Sequence, residues 1–327
     1  MNPSQKGRLK TILITGGTGF IAQAFFPLLS PEYWNICTTL RSEKSLAQLP
    51  KGVRGMITGN LENVSDWKPL LDGVDVIVHL AARVHQMKEE QLHPKEAYQR
   101  TNVEVTRALA LAAGQAAVKR FVFLSSVKAM GEETKPGEIW NEDSPCFPPD
   151  PYGQSKYDAE KVLIDMGRQS SMEMVILRLS LVYGPRVKAN MARLFEIVRR
   201  GTPLPLARIK NARSLIYIGN LVDAIRVVLD HPAAANQTFL VSDGEDVSTP
   251  ELIRRIACAL NRPARLFPFP PSLLRLAGML SGQSETLDRL LNSLLIDSSK
   301  IRHELNWTPT YSMEQGLSET AKWYLQQ

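Results

Sequence analysis

Two side chains of the kind used in acid–base chemistry, Tyr152 and Lys156, stand four positions apart. Asp150 and Pro151 precede them, and an aspartate N-cap followed by a proline at the first helical position is typical of a helix start. Residues four apart share one helix face. A phenol with its ordinary pKa near ~10 is a poor acid–base group at neutral pH, and a nearby ammonium lowers that pKa by favouring the phenolate. The spacing therefore predicts a tyrosine that exchanges a proton with a substrate, although the same spacing also occurs by chance on exposed helices.

A serine pair upstream adds a second polar group to this prediction. Ser125 and Ser126 follow directly on the apolar run 121–124, which is typical of a buried strand. A hydroxyl held at the end of that strand can hydrogen-bond a reacting carbonyl or alcohol. Ser126, Tyr152 and Lys156 are therefore the predicted catalytic residues.

A glycine-rich turn near the start of the chain predicts a nucleotide cofactor. The segment 15–22 reads T-G-G-T-G-F-I-A and lies between an apolar run and a helical pattern. In that position, a glycine turn brings backbone N–H groups onto a pyrophosphate. The predicted contacts are Gly16, Gly19, Phe20 and Ile21. The spacing differs from the G-x-G-x-x-G of the usual dinucleotide fingerprint.

The choice between NAD and NADP depends on the end of the second strand, ~20 positions after the glycines. The segment 38–42 reads T-T-L-R-S and contains an arginine but no acidic residue. An acid there would favour NAD, and a basic side chain accommodates the 2′-phosphate of NADP. We therefore predict NADP(H) as the preferred cofactor, with Arg41 as its contact and NAD(H) as the alternative. Arg41 as an ordinary exposed arginine remains the other interpretation.

Strands and helices alternate along the first part of the chain. Continuous apolar runs predict strands at 11–14, 34–40, 74–80, 121–124 and 174–178, and helical periodicity predicts helices at 20–29, 97–113, 152–168, 191–200 and 221–230. The pattern indicates an α/β protein with a doubly wound parallel sheet. After about residue 242, short helices at 249–260, 271–280, 284–295 and 313–324 indicate a smaller, mostly helical lobe.

Composition narrows the possible partners and environment. The formal charge of +6 is spread along the 327 residues, which argues against nucleic acid and fits anionic small molecules. Three separated cysteines indicate neither a disulfide framework nor a metal site. No run approaches the ~18 apolar residues that span a bilayer, and segment 272–280, interrupted by Arg275, is interpreted as a packed helix. We expect a cytoplasmic protein without membrane insertion.

These motifs resemble the extended short-chain dehydrogenase/reductase family, which contains UDP-galactose 4-epimerase, nucleotide-sugar 4,6-dehydratases and 4-keto-sugar reductases. The resemblance covers roughly residues 10–325 and implies a Rossmann-type dinucleotide domain at 1–183 and 212–241, with a nucleotide-sugar lobe at 184–211 and 242–327. It also implies a homodimer. Further cofactor contacts that it implies are Asn60, Leu61, Leu80, Ala81, Ala82, Asn102 and Tyr183, together with the catalytic Tyr152 and Lys156, of which Lys156 is expected to hold the nicotinamide ribose.

The resemblance also implies residues that hold a UDP-sugar substrate. Asn190 and Arg213 match positions that bind the pyrophosphate, and Leu206 lies in the segment expected against the uracil. Ser125 and Lys128 are expected near the sugar, and His85 is either a turn residue or a further contact.

Departures from the family pattern narrow the activity. The residues after Ser126 lack the acids of dehydratases. We expect reduction of the C4 ketone of a UDP-4-keto-6-deoxy-N-acetylhexosamine in surface-polysaccharide precursor synthesis. The alternative is a UDP-glucose or UDP-N-acetylglucosamine 4-epimerase with tightly bound NAD.

Overall fold

The computed structural model describes residues 8–84, 94–280, 282 and 284–327, and His85 lies outside them. Contacts divide the chain into two compact units. The first consists of Met1–Gly131, Pro145–Arg178 and Val222–Phe239, and the second of Glu132–Ser144, Leu179–Leu221 and Leu240–Gln327.

This division differs from the expected boundaries, most clearly at 132–144, which the sequence assigned to the dinucleotide domain. The segment belongs to the second unit because it pairs with the chain near residue 295. Thr134 N donates to Ser293 O (2.9 Å), and Trp140 forms a parallel bridge with Ile296.

The strands are β1 (Lys10–Thr15), β2 (Trp34–Leu40), β3 (Val53–Ile57), β4 (Val76–His79), β5 (Arg120–Ser126), β6 (Glu173–Leu179), β7 (Leu181–Tyr183), β8 (Arg213–Tyr217), β9 (Gln237–Val241) and β10 (Asp246–Val247). The helices are α1 (Phe20–Phe25), α2 (Lys68–Leu71), α3 (Pro94–Tyr98), α4 (Val105–Gln115), α5 (Pro151–Gln169), α6 (Ala189–Arg199), α7 (Ile218–Val228), α8 (Thr249–Ala259), α9 (Pro271–Leu280), α10 (Ser284–Leu291), α11 (Ser299–Leu305) and α12 (Met313–Leu325). A π-helical segment, Gln99–Glu104, joins α3 to α4.

The predicted doubly wound sheet is confirmed. Seven strands lie in the order β3-β2-β1-β4-β5-β6-β9, and the pairs from β3 to β5 are parallel. The strand order reverses between β1 and β4, where the chain leaves successive strands in opposite directions and where such sheets bind their ligands. In the apolar runs that predicted β1 and β5, residues 12–14 and 121–124 are buried, as helices on both faces require.

Two strands of this sheet were missed. The edge strand β3 is short, carries Gly55 and has no fully buried residue, so it lacks the apolar run used as the strand signal. Strand β9 begins with Gln237 and Thr238, and only its last three residues are buried. The second unit also contains a small sheet, β10-β8-β7, in addition to its predicted helices.

Helix α9 corrects the interpretation of segment 272–280 as fully packed. Leu274 and Gly278 are buried, but Met279 is 70% and Leu280 is 82% exposed. Among the described helices, none has the length and apolar character needed to cross a membrane.

Gly17 provides a test of how tightly β2 packs on the glycine turn. A Cβ added there would lie 2.3 Å from Thr38 Oγ1, and that hydroxyl is fixed because it donates to Ile14 O (2.7 Å). We expect Gly17→Ala to lower the free energy of unfolding by about 1–3 kcal/mol, as overpacking does. Urea denaturation measures the change.

The matched control is Gly114→Ala. Gly114 lies in α4 and has nothing within 4 Å of an added Cβ, so alanine there should be neutral or stabilising. Equal stability of the two variants would contradict the packing argument.

Candidate active site

The glycine turn after β1 is held against two neighbouring strands. Gly16 has a φ of +77°, and its N–H donates to Thr39 Oγ1 (3.1 Å). A Cβ on Gly16 would lie 3.2 Å from Ala81 Cα, in the turn after β4. Gly19 N donates to Gly16 O (2.9 Å). The turn therefore has the close backbone approach and the side-chain-free surface that a dinucleotide pyrophosphate requires.

A buried histidine at the end of β4 connects this turn with the helix beside it. Thr106 Oγ1 donates to Asn102 O (2.7 Å), so it accepts from His79 Nε2 (3.0 Å). His79 Nδ1 is then the acceptor for Thr15 Oγ1 (2.8 Å), and Thr15 in turn accepts the N–H groups of Leu80 (3.1 Å) and Ala81 (3.0 Å). These directions fix a neutral imidazole with its proton on Nε2.

Burial, reinforced by the charge of Lys156, lowers the pKa of His79 to about 3. The histidine therefore stays neutral and serves as a fixed link in the network. The signal for it in the sequence is a histidine at the end of an apolar strand.

The structure brings Ser126 and Tyr152 together. The Ser126 hydroxyl accepts the N–H of Lys128 (3.2 Å), and it lies close enough to the Tyr152 phenol to favour a lower pKa of that phenol. Tyr152 lies in the first turn of α5, which Asp150 caps as predicted by accepting the N–H of Gly153 (2.7 Å). Ser126 is thus positioned by the end of β5 and the phenol by the start of α5.

Lys156 lies on the same helix and is buried, 4% exposed. Its Nζ donates to Leu124 O (2.7 Å) and sits 4.5 Å from the centre of the Phe123 ring. Burial lowers the pKa of Lys156 to about 8, and the carboxylate of Glu160 opposes that change. The ammonium is therefore close to its titration midpoint under mildly alkaline conditions.

The expected lowering of the Tyr152 pKa by Lys156 is not found in the chain alone. Burial raises the pKa of Tyr152 to about 12, the hydrogen bond from Ser126 opposes this, and Asp150 and Tyr98 add to it. Removal of the phenol from water therefore outweighs any effect of the ammonium, and the phenol is protonated at neutral pH.

Asn102, predicted as a cofactor contact, connects protein groups instead. Its amide donates to Arg83 O (3.0 Å) and Ser155 Oγ (2.9 Å) and accepts Arg83 N–H (2.8 Å). Ser155 Oγ donates to Tyr152 O (2.8 Å), so Asn102 supports the helical turn that carries the phenol. It lies within the π-helical segment, a feature often found at functional sites.

Two residues expected near the sugar have protein partners. Ser125 is buried and donates to Glu160, so its predicted contact with substrate is corrected. The ammonium of Lys128 forms an ion pair with Asp150, the N-cap of α5. Lys128 therefore stabilises the start of that helix.

In the second unit, two further predictions are corrected by burial. Tyr183 is 0% exposed and its hydroxyl donates to Asp243 (3.2 Å), which leaves only its main chain for a cofactor. The Leu206 side chain is buried in the core of this unit and is not available to a uracil.

Arg213 and Asn190 are better placed for a ligand. Arg213 is half-buried and donates through Nη1 to Arg289 O and Asn292 O (both 3.0 Å). Asn190 lies in the first turn of α6. That turn contains no acidic residue, and the N-terminus of the helix has no side-chain cap. Positive φ values occur at Arg186 (+70°), in the loop before α6, and at Ala189 (+56°), the first residue of α6, a strain that tends to occur at binding sites and that the sequence does not reveal.

The predicted adenine side has exposed polar groups. Arg41 directly follows β2 and is exposed, and it has no ion pair with any residue the structure describes. Thr39 is buried, and its hydroxyl accepts a hydrogen bond from the Gly16 N–H. Asn60 is exposed and Leu61 partly so, both just after β3.

A glycine turn at the switch point of a parallel sheet, with serine, tyrosine and lysine at the end of β5 and on α5, defines a dinucleotide-dependent enzyme of the short-chain dehydrogenase type. The chain belongs to the NAD dependent epimerase/dehydratase family, whose model matches residues 12–242. It is therefore an enzyme of the NAD-dependent epimerase/dehydratase type.

Several known proteins are similar to this chain over nearly its whole length. It is 40% identical to a UDP-glucose 4-epimerase of Vibrio cholerae, over 97% of this chain and 96% of that protein. It is 26% identical to the N-acetyl-alpha-D-glucosaminyl-diphospho-ditrans,octacis-undecaprenol 4-epimerase of Escherichia coli O157:H7, over 95% and 94%. In fold it resembles the UDP-glucuronic acid 4-epimerase of Bacillus cereus in complex with NAD, with a TM-score of 0.78 and 22% identity over 97% of each chain.

The buried His79 leads to a prediction about pH. The folded state keeps His79 neutral down to about pH 3, whereas the unfolded chain takes up a proton below ~6.5. The unfolded state then binds more protons, so this residue destabilises the fold as pH falls from ~6.5. We expect the stability of wild type relative to His79→Asn to fall by up to about 1.4 kcal/mol for each pH unit in that range. Urea unfolding at pH 7.5, 6.0 and 5.0 tests this, and parallel pH dependences would contradict it.

Proposed function

We propose that this enzyme is a UDP-sugar 4-epimerase acting on UDP-glucose or UDP-N-acetylglucosamine. The observation that carries the proposal is the 40% identity to the Vibrio cholerae UDP-glucose 4-epimerase over nearly the full length of both chains. It favours the epimerase over the reductase that the sequence alone suggested. The proposal includes a cytoplasmic homodimer, as the family resemblance implies.

The cofactor in this proposal is held by the first unit. The turn of Gly16 and Gly19 receives the pyrophosphate, Phe20 and Ile21 follow it into α1, and Leu80 to Ala82 line the neighbouring turn. Close contact between the two turns supports this assignment, since a Cβ at Gly16 would fill the space beside Ala81. The nicotinamide, when bound, supplies hydride acceptance and return at the sugar C4.

The chain's own groups manage the proton. The neutral phenol of Tyr152 is the form that donates a proton to a 4-keto sugar, and Ser126 hydrogen-bonds the oxygen that becomes the alkoxide. Taking the proton from a C4 hydroxyl needs the phenolate, and Lys156, four residues along α5 from Tyr152, is the cation proposed to favour that form when cofactor and substrate are bound. In the second unit, Asn190 at the start of α6 and the guanidinium of Arg213 are proposed to bind the UDP pyrophosphate.

A second candidate is the NADPH-dependent 4-reductase. It is favoured by one observation, the exposed Arg41 after β2 together with the absence of an acid at Thr39, whose hydroxyl is already used by Gly16. This arrangement fits a 2′-phosphate better than a free ribose. The two candidates share every catalytic residue and differ in whether the cofactor leaves.

Removing the phenolic hydroxyl tests the shared chemistry. Tyr152→Phe should lower kcat by roughly 10²–10⁴-fold, because a positioned general acid is lost, and should leave cofactor affinity nearly unchanged. Steady-state kinetics and cofactor titration measure the two effects. The control is Tyr157→Phe, five residues along the same helix, where Lys161 Nζ lies 4.7 Å from the centre of the ring and no catalytic contact is assigned. Retention of a tenth or more of the kcat by Tyr152→Phe would exclude Tyr152 as the proton donor.

Cofactor retention distinguishes the two candidates. An epimerase regenerates its cofactor in place, so protein purified without additions should contain NAD and should interconvert UDP-glucose and UDP-galactose with no reductant. Denaturation followed by chromatography identifies the released nucleotide, and coupled assays follow the sugars.

Empty protein that oxidises NADPH stoichiometrically with a UDP-4-keto-6-deoxy-N-acetylhexosamine would establish the reductase instead. In that case Arg41→Ala should weaken NADPH binding by about 1.5–3 kcal/mol, the value of a charge-assisted hydrogen bond, with little change for NADH.

A further inference from the structure

A buried carboxylate lies one helical turn beyond Lys156, in a position that neither the sequence motifs nor the mechanism above uses. Glu160 is on α5 and is 1% exposed. It accepts Arg178 Nε (3.2 and 3.1 Å to its two oxygens) and Arg178 Nη2 (2.8 Å), and it accepts the hydroxyl of Ser125. Arg178 and Ser125 are themselves buried, at the ends of β6 and β5.

These contacts connect Glu160 to the site by two routes. Ser125 immediately precedes Ser126, so its hydrogen bond to Glu160 fixes the backbone from which the Ser126 hydroxyl extends toward Tyr152. Glu160 and Lys156 are four apart on α5, which places their side chains on one face with Cβ atoms ~5–6 Å apart. The carboxylate is thus the acidic group nearest to the buried ammonium on their shared helix.

The charges around Lys156 explain why a carboxylate is needed. On α5, Tyr152 is neutral and Glu160 is negative; on β4, His79 is neutral; on β6, Arg178 is positive. The thiol of Cys146 also lies near Arg178 and Glu160, and burial raises its pKa, which keeps it neutral. From β5 the ammonium meets only the Leu124 carbonyl and the Phe123 ring. Without Glu160, Lys156 would lose the carboxylate that opposes the lowering of its pKa by burial, and a buried lysine in that situation releases its proton more readily.

We infer that Glu160 is a positioning residue for the reaction, whose buried carboxylate keeps Lys156 charged and holds Ser126 opposite Tyr152. The inference rests on the proposed function only where turnover is measured. The charge on Lys156 is a property of the chain that is measured without substrate.

A purely structural role for the ion pair is the alternative, and the protein contains a matched pair for comparison. Arg120 and Glu173 join the starts of β5 and β6, with Arg120 Nε 2.7 Å from Glu173 Oε2, whereas Glu160 on α5 binds Arg178 near the end of β6 and Ser125 near the end of β5. Arg120 is also buried, but its partner Glu173 is partly exposed. Glu173→Gln therefore breaks another Arg–Glu pair that involves β6, at the starts of β5 and β6 and not at the ends that carry Ser125 and Arg178.

The experiment follows the protonation of Lys156 directly. Protein labelled with ¹³C at the lysine ε carbons is titrated by NMR, and the Lys156 signal is identified by its loss in Lys156→Met. In Glu160→Gln the midpoint of Lys156 should move to lower pH by about 1 or more, as expected for loss of an opposite charge at close range. In Glu173→Gln the midpoint should stay where it is in wild type. Glu160→Asp, which keeps the charge, should restore most of the wild-type midpoint.

A double variant keeps the test valid if Glu160→Gln does not fold. Glu160→Gln combined with Arg178→Met removes both charges of the pair, a replacement that folded proteins commonly tolerate. Glu160 is four residues from Lys156 on α5 and is the charged group that opposes the lowering of the Lys156 pKa, so this variant should also show a lowered midpoint. An unchanged Lys156 midpoint in the folded variants would overturn the inference, whatever the activity of the enzyme.

Turnover provides the second readout. In wild type, kcat/KM should fall on the alkaline side as Lys156 loses its proton near pH 8, and in Glu160→Gln this fall should begin at lower pH by the same amount as the NMR midpoint moves. A uniform decrease at every pH would assign Glu160 a structural role only. If the Lys156 midpoint moves in Glu160→Gln but the wild-type enzyme converts no UDP-sugar, the proposed function is wrong and the inference about Lys156 stands.

Discussion

The burial of one ammonium, that of Lys156, is the constraint on which the arrangement of the first unit depends. A cation removed from water must find acceptors or opposite charge within the protein. Lys156 has one carbonyl, Leu124 O, and one aromatic face, Phe123, both from β5. Strand β5 and helix α5 must therefore keep a fixed separation, and this separation also brings Ser126 to Tyr152. The packing of α5 on β5 therefore determines both the position of Ser126 relative to Tyr152 and the contacts that stabilise the buried ammonium.

Beside the glycine turn, neutral side chains, and not a charged one, satisfy one another's buried polar atoms. Thr15, His79 and Thr106 form a chain of hydrogen bonds in which each donor has one acceptor, and the chain runs from the glycine turn to the helix that carries Asn102. A charged imidazole would have no acceptor for its second proton here, and it would lie near Lys156. A charged Lys156 therefore favours a neutral His79, and the burial of His79 and its hydrogen bonds to Thr15 and Thr106 favour the same neutral form.

Features set by local chemistry were predictable from the sequence. The cap at Asp150, the bounds of α9 and the parallel sheet followed from turn residues and apolar runs, because those signals act over a few positions. What the sequence did not reveal depends on partners far along the chain. Glu160 meets Ser125 and Arg178, and Ser125 was assigned to the substrate because no local pattern indicates that its hydroxyl turns inward. Tyr183 was likewise placed on the cofactor by its motif, although its ring is buried against Asp243 and Tyr217.

The same reasoning separates the parts of the site that fix the chemistry from those that fix the substrate. Ser126, Tyr152 and Lys156 are positioned by buried contacts that tolerate little change, so chains with these contacts share one proton-transfer apparatus. Arg41, Asn60 and Asn190 are exposed or partly exposed and are not held by the core. Such positions can vary without loss of the fold, since surface substitutions have small effects on stability. Packing therefore leaves these exposed positions free to differ between chains that share the buried contacts of Ser126, Tyr152 and Lys156.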